Sequence, residues 1–216
     1  MSHPSKTGTK AQKKTLIASE QFSERVQKLR HEWRIWLDKI DIRNLVFIDE
    51  TGFNLAMTRR YGRSEGGERV NDERPGNKGE NFTLVGAMNS EGLIATMTLP
   101  GGLDTASFIV YVEEILLPAL WVGAIVVMDN LPVHYAKKIE SLIKSVGAKV
   151  KFLPPYSPDL SPIELCWSKI KEILRSAKAR TESALNEAIT NAINAISEDD
   201  AINWFHHCGL FAESIR

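Results

Sequence analysis

The spacing of hydrophobic residues changes along the chain. Apolar residues first recur every three or four positions, at Phe22, Val26, Leu29, Trp33, Leu37 and Ile40. That spacing predicts one amphipathic helix. Three β-rich runs follow at 45–51, 82–89 and 93–100, and the turn sequence NSEG between the last two predicts a hairpin. The first half of the chain is therefore expected to be a helix followed by an antiparallel meander.

From residue 105 the pattern alternates between helix and strand. Residues 105–121 predict a helix with Phe108, Val112, Ile115 and Leu116 facing inward. The run GAIVVMDN at 123–130 is apolar throughout, which is typical of a buried parallel strand. A helix near 135–146, a strand at 148–154 and a proline-led helix follow. The order predicts an α/β fold, a mixed sheet with helices on its faces.

Two closing helices are predicted at 181–196 and 198–206. The second has the capping-box pattern Ser197 and Asp200 at its start and Gly209 after its end. The chain divides into a basic tail plus one helix (1–44), a central α/β domain (45–178) and a C-terminal helical extension (179–216).

Composition narrows the class of protein. The chain has 43% hydrophobic and 25% charged residues, which is typical of soluble globular proteins. No apolar window is long enough to cross a bilayer, and the polar N-terminus lacks a signal-peptide core, so no membrane partner is expected. The two cysteines have no metal-ligand spacing, which argues against zinc and fits a reducing, cytoplasmic location.

The zero net charge conceals an uneven distribution. Residues 1–44 hold ten Lys or Arg against five acids, and residues 161–180 hold five against two. The tail SHPSKTGTKAQKK (2–14) has no apolar pattern and is expected to be disordered when alone. This tail fits a solubilising terminus and a polyanion-binding arm equally well, so neutral charge does not exclude nucleic acid.

The segment PPYSPDLSPIE, from residue 154, precedes the proline-led helix. Its four prolines predict a stiff, extended lead-in, because proline fixes φ and keeps the preceding residue out of helical geometry. Ser161 can then cap the helix and Pro162 can take its first position. This start places Glu164 in the first helical turn.

Two further acids, Asp49 and Asp129, follow apolar strands at their carboxyl ends. Open α/β sheets bind ligands at such positions. Three converging carboxylates would repel one another and raise their pKa values, whereas divalent cations make the cluster favourable. The expected metal is Mg²⁺ or Mn²⁺, since both prefer oxygen ligands.

The proline-led helix has two distinct stripes. Ile163, Trp167, Ile170 and Leu174 share one stripe, which is predicted to be buried. Glu164, Lys171, Arg175 and Lys178 share a neighbouring stripe. That second stripe could hold a metal at one end and phosphates along the rest, or it could be a solvated face with an acid at the positive helix end.

Three segments carry a resemblance to a known family: FIDETGFNLAMTRRYGR, VVMDNLPVH and PPYSPDLSPIE. Together they resemble the catalytic domain of the DDE-type transposases, in the bacterial insertion-sequence branch of the mariner superfamily. The resemblance covers about residues 45 to 175, and 34 residues separate Asp129 from Glu164, the spacing typical of that branch. It implies an RNase H-like fold, shared with retroviral integrases.

The resemblance also implies a function. It assigns Asp49, Asp129 and Glu164 as ligands of two metal ions; Glu50 is excluded because neighbouring strand residues face opposite sides. The implied reaction is cleavage at the terminal inverted repeats of an element and strand transfer into target DNA at a TA dinucleotide. Family members usually have asparagine at the position of Ser161, but serine also caps helices well.

Family members also carry helix-turn-helix domains before the catalytic core, and none is recognisable here. We therefore expect this chain to work with an upstream helix-turn-helix half, as a homodimer in the active complex.

Other polar residues allow two interpretations each. Asn130 and His134 either support the metal site and nearby DNA or form a polar cluster at a helix start. Arg59, Arg60 and Arg63 either grip DNA phosphates or the partner subunit, or belong to a solvated hairpin. His206, His207 and Cys208 are more simply explained by the helix dipole than by a metal, and the five tryptophans are expected in the core or an interface.

Two other functions remain open from sequence. One is a catalytically silent DNA-binding or regulatory remnant of a transposase, suggested by the missing N-terminal domains. The other is a stand-alone RNase H-like nuclease without a joining step.

Overall fold

The fold was obtained as a computed structural model, which describes residues 18–66, 68–129 and 137–211. Within these ranges the strands form one five-stranded sheet, in the order β3-β2-β1-β4-β5. The strands are β1 (Leu45–Asn54), β2 (Asn81–Asn89), β3 (Gly92–Pro100), β4 (Ile125–Met128) and β5 (Lys149–Phe152). The first three pair antiparallel, and β4 pairs parallel with β1 and β5. The predicted mixed sheet is confirmed.

Six α-helices flank the sheet in the described ranges. They are α1 (Glu24–Leu37), α2 (Thr105–Tyr111), α3 (Lys137–Ser145), α4 (Pro162–Ala177), α5 (Glu182–Asn194) and α6 (Glu198–His207). None of the helices in the described part of the chain is long and apolar enough to cross a membrane.

Each face of the sheet has its own hydrophobic core. In β1, Leu45 and Phe47 point to the core formed with α1, α4, α5 and α6, whereas Val46 and Ile48 point to the core formed with α2 and α3. Because both faces are covered, β4 is apolar at every position. The helices therefore lie on both faces, as the sequence predicts.

The predicted helix 105–121 is not one regular helix. It is α-helical to Tyr111, continues as a π-helical turn over Val112–Leu116 and ends in a 3₁₀ turn over Leu117–Ala119. Tyr111, one turn after Phe108, is fully buried, whereas Ile115 within the wider π turn is only partly buried.

The first helix differs from its prediction both in where it begins and in which residues it buries. It begins at Glu24, after a 3₁₀ turn over Ser19–Phe22 that leaves the Phe22 side chain 66% exposed. Its buried residues are Val26, Arg30 and Trp33. A buried arginine replaces part of the expected apolar face, because it finds an acidic partner elsewhere in the fold.

Helix starts follow the sequence closely. The capping box of Ser197 and Asp200 is present at α6. Helix α4 begins at Pro162 with Ser161 in the cap position, but the Ser161 side chain makes no capping hydrogen bond. The backbone N–H of Glu164 donates to the Ser161 carbonyl oxygen at 3.3 Å instead.

Candidate active site

Strand pairing places two of the three predicted acids side by side. In the parallel pair of β1 and β4, Leu45 aligns with Ile125 and Phe47 with Val127. Continuing this register beyond the ends of the ladder brings Asp49 level with Asp129. Asp129 follows the last residue of β4, but β1 continues to Asn54, so Asp49 lies within its strand and not at its carboxyl end as predicted, because the second half of β1 still pairs with β2. The two acids nevertheless lie side by side where the parallel pairing of β1 with β4 ends, a place called the sheet edge below.

Glu164 reaches the same edge from the first turn of α4. The three acids line one cleft of about 510 Å³, called the acid cleft below. Its other lining residues are Arg25, Ile48, Leu153, Pro154, Pro155, Tyr156, Ser157, Pro158 and Ser161. One wall is therefore the lead-in, residues 154–161, that the proline run predicts.

The acids influence one another electrostatically. Burial raises the pKa of Asp49 to about 8, and the charges of Glu164 and Glu50 add to the increase. Partial burial also raises the pKa of Glu164, although its side chain stays partly exposed to solvent. Lys171 opposes this increase in the Glu164 pKa, and Asp129 adds to it. The ionised forms are therefore disfavoured unless a cation joins them.

The donor chemistry of the acid cleft suits a hard divalent cation. Three carboxylates offer oxygen ligands, which Mg²⁺ and Mn²⁺ prefer, and a bound cation would offset the raised pKa values. Within the described ranges no three His, Cys, Asp or Glu side chains already stand in ligand geometry. The acids thus share a cleft without forming a closed ligand cage.

Trp167 contacts the first acid directly. Its indole Nε1 donates a hydrogen bond to Oδ2 of Asp49 at 3.0 Å, while its ring is 2% exposed. From the sequence, this residue was assigned only to the buried stripe of α4. The sequence did contain a signal for this contact, because Trp167 lies three residues after Glu164 and residues at that spacing are neighbours on a helix.

The lead-in is fastened to α1 by an ion pair that the sequence does not reveal. Arg30 donates to both carboxylate oxygens of Asp159, at 2.9 and 2.6 Å. Gln21 donates to the Tyr156 carbonyl oxygen at 2.8 Å and to Oδ1 of Asp159 at 3.1 Å. Arg30 holds the pKa of Asp159 below its usual value. Helix α1 therefore fixes the segment that leads into Glu164.

The structure brings part of the predicted basic group together. The charge of Lys171 acts on both Glu164 and Asp49; burial lowers the Lys171 pKa, and Glu164 partly opposes that effect. Arg60 and Arg175 also act on the Lys171 pKa, so both lie near it. The Arg59 Nε donates to the Ser176 hydroxyl oxygen on α4 at 3.0 Å.

The remaining basic residues differ in whether they already contact an acidic side chain. Lys178 donates to Asp72 at 2.6 Å. The Arg175 side chain is only 15% exposed and lies 3.6 Å from Glu172, and Arg63 is exposed. The predicted basic residues are thus distributed along α4 and the β1–β2 loop.

Some predictions fall outside the described residues. Asn130 and His134 lie in the range 130–136, and the basic tail lies in 1–17, so their roles stay predictions. Of the five tryptophans, Trp33 and Trp167 are buried and the other three pack at the border of a core.

Comparison with known proteins identifies the family. A family model described as DDE superfamily endonuclease matches residues 44–186. No curated protein matches the chain significantly.

Solved structures with a similar fold include the Mos1 transposase paired-end complex with left transposon end. Its TM-score is 0.71 and its sequence identity is 18%, and the match covers 94% of this chain and 64% of that chain. The Mos1 strand transfer complex gives a TM-score of 0.71 and 18% identity, over 94% of this chain and 63% of that chain. The catalytic domain of Mos1 mariner transposase gives a TM-score of 0.63 and 15% identity, over 90% and 91% of the two chains.

The chain spans less than two thirds of the Mos1 chains in the two complexes. These likenesses confirm the predicted RNase H-like fold. The family match includes β1 with Asp49, the residue Asp129 that follows β4, and the helix that carries Glu164. The chain therefore belongs to the DDE superfamily endonucleases.

Proposed function

We propose that this chain is the catalytic subunit of a DNA transposase, which cuts DNA at the ends of a mobile element and transfers the strand into target DNA. The observation that carries the proposal is the acid cleft, where carboxylates from β1, β4 and α4 meet. In this role Asp49, Asp129 and Glu164 are the metal ligands. Residues 45–178 are the catalytic domain, with the tail and α1 region (1–44) before it and a helical extension (179–216) after it.

The proposed cofactor is Mg²⁺, with Mn²⁺ as a substitute and two ions per site. When bound, the ions activate a water or a 3′-hydroxyl for in-line attack on phosphorus and stabilise the leaving oxygen. The chain's own part is to hold three carboxylates at one cleft and to limit water around Asp49, which is mostly buried. Asn130 and His134 are proposed to support this site.

The proposed DNA contacts extend from the acid cleft along α4. Lys171 is proposed to contact the phosphate nearest the metals, because its charge interacts with Glu164 and Asp49. Arg59 and Arg60 approach the same helix from the β1–β2 loop. Arg63, Arg175 and Lys178 complete the proposed DNA-binding set. These side chains contact phosphates, which give affinity without sequence information.

The partners follow from the family. The similar Mos1 structures are complexes with a transposon end and with Mn or Mg. For this chain we propose terminal inverted repeats and TA target DNA as substrates, an upstream helix-turn-helix half, and a homodimer in the active complex. Its proposed setting is a bacterial insertion sequence acting in the cytoplasm.

The test is a cleavage and joining assay with the chain, its upstream half and DNA carrying the element's ends. Asp49→Asn, Asp129→Asn and Glu164→Gln are each expected to lower cleavage at least about a thousandfold, because metal ions supply several kcal/mol of transition-state stabilisation. Glu187→Gln is the matched control, since it makes the same change as Glu164→Gln on an exposed side chain of α5.

Three outcomes would contradict the proposal. Cleavage that survives in all three variants would remove the ligand assignment. Cleavage without recombinant product would favour the stand-alone nuclease. DNA binding without any cleavage by the unmodified chain would favour the silent remnant.

A further inference from the structure

Helix α4 brings two groups to the acid cleft. Glu164 lines the cleft itself, and Trp167, three residues later, reaches back to Asp49. The indole N–H lies 3.0 Å from Oδ2 of Asp49, and the two residues are 118 positions apart in sequence. Helix α4 therefore carries the third acid of the proposed metal site, Glu164, and contacts the first, Asp49, through Trp167.

Gly86 makes room for this contact. It lies on β2 directly opposite Asp49 in the antiparallel ladder. A Cβ atom at this position would lie 2.7 Å from Cη2 of Trp167, closer than non-bonded atoms approach. Its φ is not in the left-handed region, so the need for glycine here comes from space and not from backbone conformation.

We propose that Trp167 is a positioning residue for Asp49, and that Gly86 is glycine because the indole needs its space. The inference rests on the proposed function, in which Asp49 is a metal ligand. Carboxylates that ligate metals are usually held by a neighbouring donor, and loss of that donor typically weakens metal binding 10- to 100-fold. An indole N–H donates but cannot accept, so it orients the carboxylate without competing for the cation.

Trp167 could instead be only a core residue whose N–H happens to find an acceptor. Trp33 provides a direct comparison, because it belongs to the same hydrophobic core and is also 2% exposed. Among the described residues its Nε1 has no hydrogen-bond partner. Replacing either tryptophan by phenylalanine removes similar buried area, but only Trp167→Phe removes a hydrogen bond to Asp49.

The experiment measures Mn²⁺ affinity of the full chain by calorimetry, in the absence of DNA. Trp167→Phe is expected to bind Mn²⁺ about tenfold more weakly, and Trp33→Phe to stay within about twofold of the unmodified chain. Circular dichroism confirms that each variant is folded at the titration temperature. Equal affinity in Trp167→Phe, or an equal loss in Trp33→Phe, would overturn the inference.

A second variant tests the role of Gly86 and keeps the inference testable if Trp167→Phe does not fold. Gly86→Ala is expected to weaken Mn²⁺ binding about as much as Trp167→Phe, because the methyl group displaces the indole. In the double variant the smaller phenyl ring leaves room for the methyl group, so the two effects should not add. A folded Gly86→Ala with unchanged affinity, or fully additive effects, would contradict the proposal.

The same titration separates this inference from the proposed function. If Asp49→Asn and Asp129→Asn leave Mn²⁺ binding unchanged, the acid cleft is not the metal site and the proposed function fails. If both variants weaken Mn²⁺ binding while Trp167→Phe does not, only the positioning role fails.

Discussion

Two aspartates beside the acid cleft differ sharply in how the fold treats their charge. Asp49 lies on the sheet edge next to other acids, and its pKa is raised to about 8, mainly by burial. Asp159 lies in the lead-in and is held by both terminal nitrogens of Arg30, which lowers its pKa. The fold therefore gives the acid of the lead-in a salt bridge, whereas Asp49 receives the Trp167 hydrogen bond but no salt bridge among the described residues.

This difference separates structure from function. An ion pair that fastens the lead-in to α1 stabilises the protein itself. A buried carboxylate among other carboxylates destabilises it, and such a site is useful only if a cation or substrate completes it. The comparison thus favours metal binding at the sheet edge and a scaffold role for the wall.

The largest expected effect follows from Asp49. In the metal-free chain, Asp49→Asn should increase the free energy of unfolding, on the order of 2 kcal/mol or more at pH 8.5, because it removes a charge that the folded state disfavours. A raised folded pKa contributes stability at low pH that is lost as pH rises from about 4 through about 8. The gain from Asp49→Asn should therefore shrink at pH 5.

Urea unfolding in the presence of a chelator measures this effect at both pH values. Glu172→Gln is the control and should change stability little, because its carboxylate is exposed. A metal-free Asp49→Asn variant that is less stable than the parent at pH 8.5 would contradict the account of the sheet edge.

The opposite sign is expected for Asp159. Asp159→Asn should lower the free energy of unfolding by about 1–2 kcal/mol at pH 7, less than for a fully buried pair because the Asp159 side chain is 53% exposed. Its folded pKa is lowered, so its contribution is present above the unfolded pKa and is lost as pH falls through the folded pKa. The difference between parent and variant should therefore shrink below about pH 4.

Acid unfolding curves of the two proteins check this prediction. If the stability of parent and variant falls in parallel from pH 7 to pH 2, the ion pair does not determine the loss of stability in acid. Asp199→Asn, at an exposed position in the first turn of α6, is a control for loss of a surface carboxylate.

Much of the acid cleft could be predicted from local sequence. Apolar runs followed by Asp49 and Asp129 and a proline-led helix start before Glu164 are patterns within a few residues, and the structure places all three acids at one cleft. The continuation of β1 beyond Asp49 to Asn54 was missed, because its polar second half is held by pairing with β2 and not by an apolar pattern. The buried stripe of α4 was also predicted correctly from its helical spacing.

The missing parts depend on contacts between distant residues. Arg30 and Asp159 are 129 positions apart, and nothing near Arg30 in sequence indicates that this position is buried. Gly86 is explained only by the tryptophan that lies over it. The π turn after α2 was missed because apolar spacing within one helix does not report an inserted residue.

The smallest expected effect concerns two basic residues, Lys171 on α4 and Lys178 directly after its end, which differ in how they are already paired. The chain alone should bind DNA weakly, with a steep salt dependence and less than about tenfold preference for terminal-repeat over scrambled duplexes. Lys171→Ala should reduce the salt slope by about one, whereas Lys178→Ala should reduce it less because Lys178 already pairs with Asp72. Binding titrations at several salt concentrations check both statements, and a larger preference would reveal a base-reading element in this chain.

The central claim is that Asp49, Asp129 and Glu164 form a divalent-metal site. Anomalous diffraction from crystals of the full chain soaked in Mn²⁺ tests it most directly. The account predicts Mn²⁺ peaks in the acid cleft, in contact with carboxylate oxygens of these three residues and absent in Asp49→Asn. Mn²⁺ bound only elsewhere, or bound unchanged in Asp49→Asn, would contradict it.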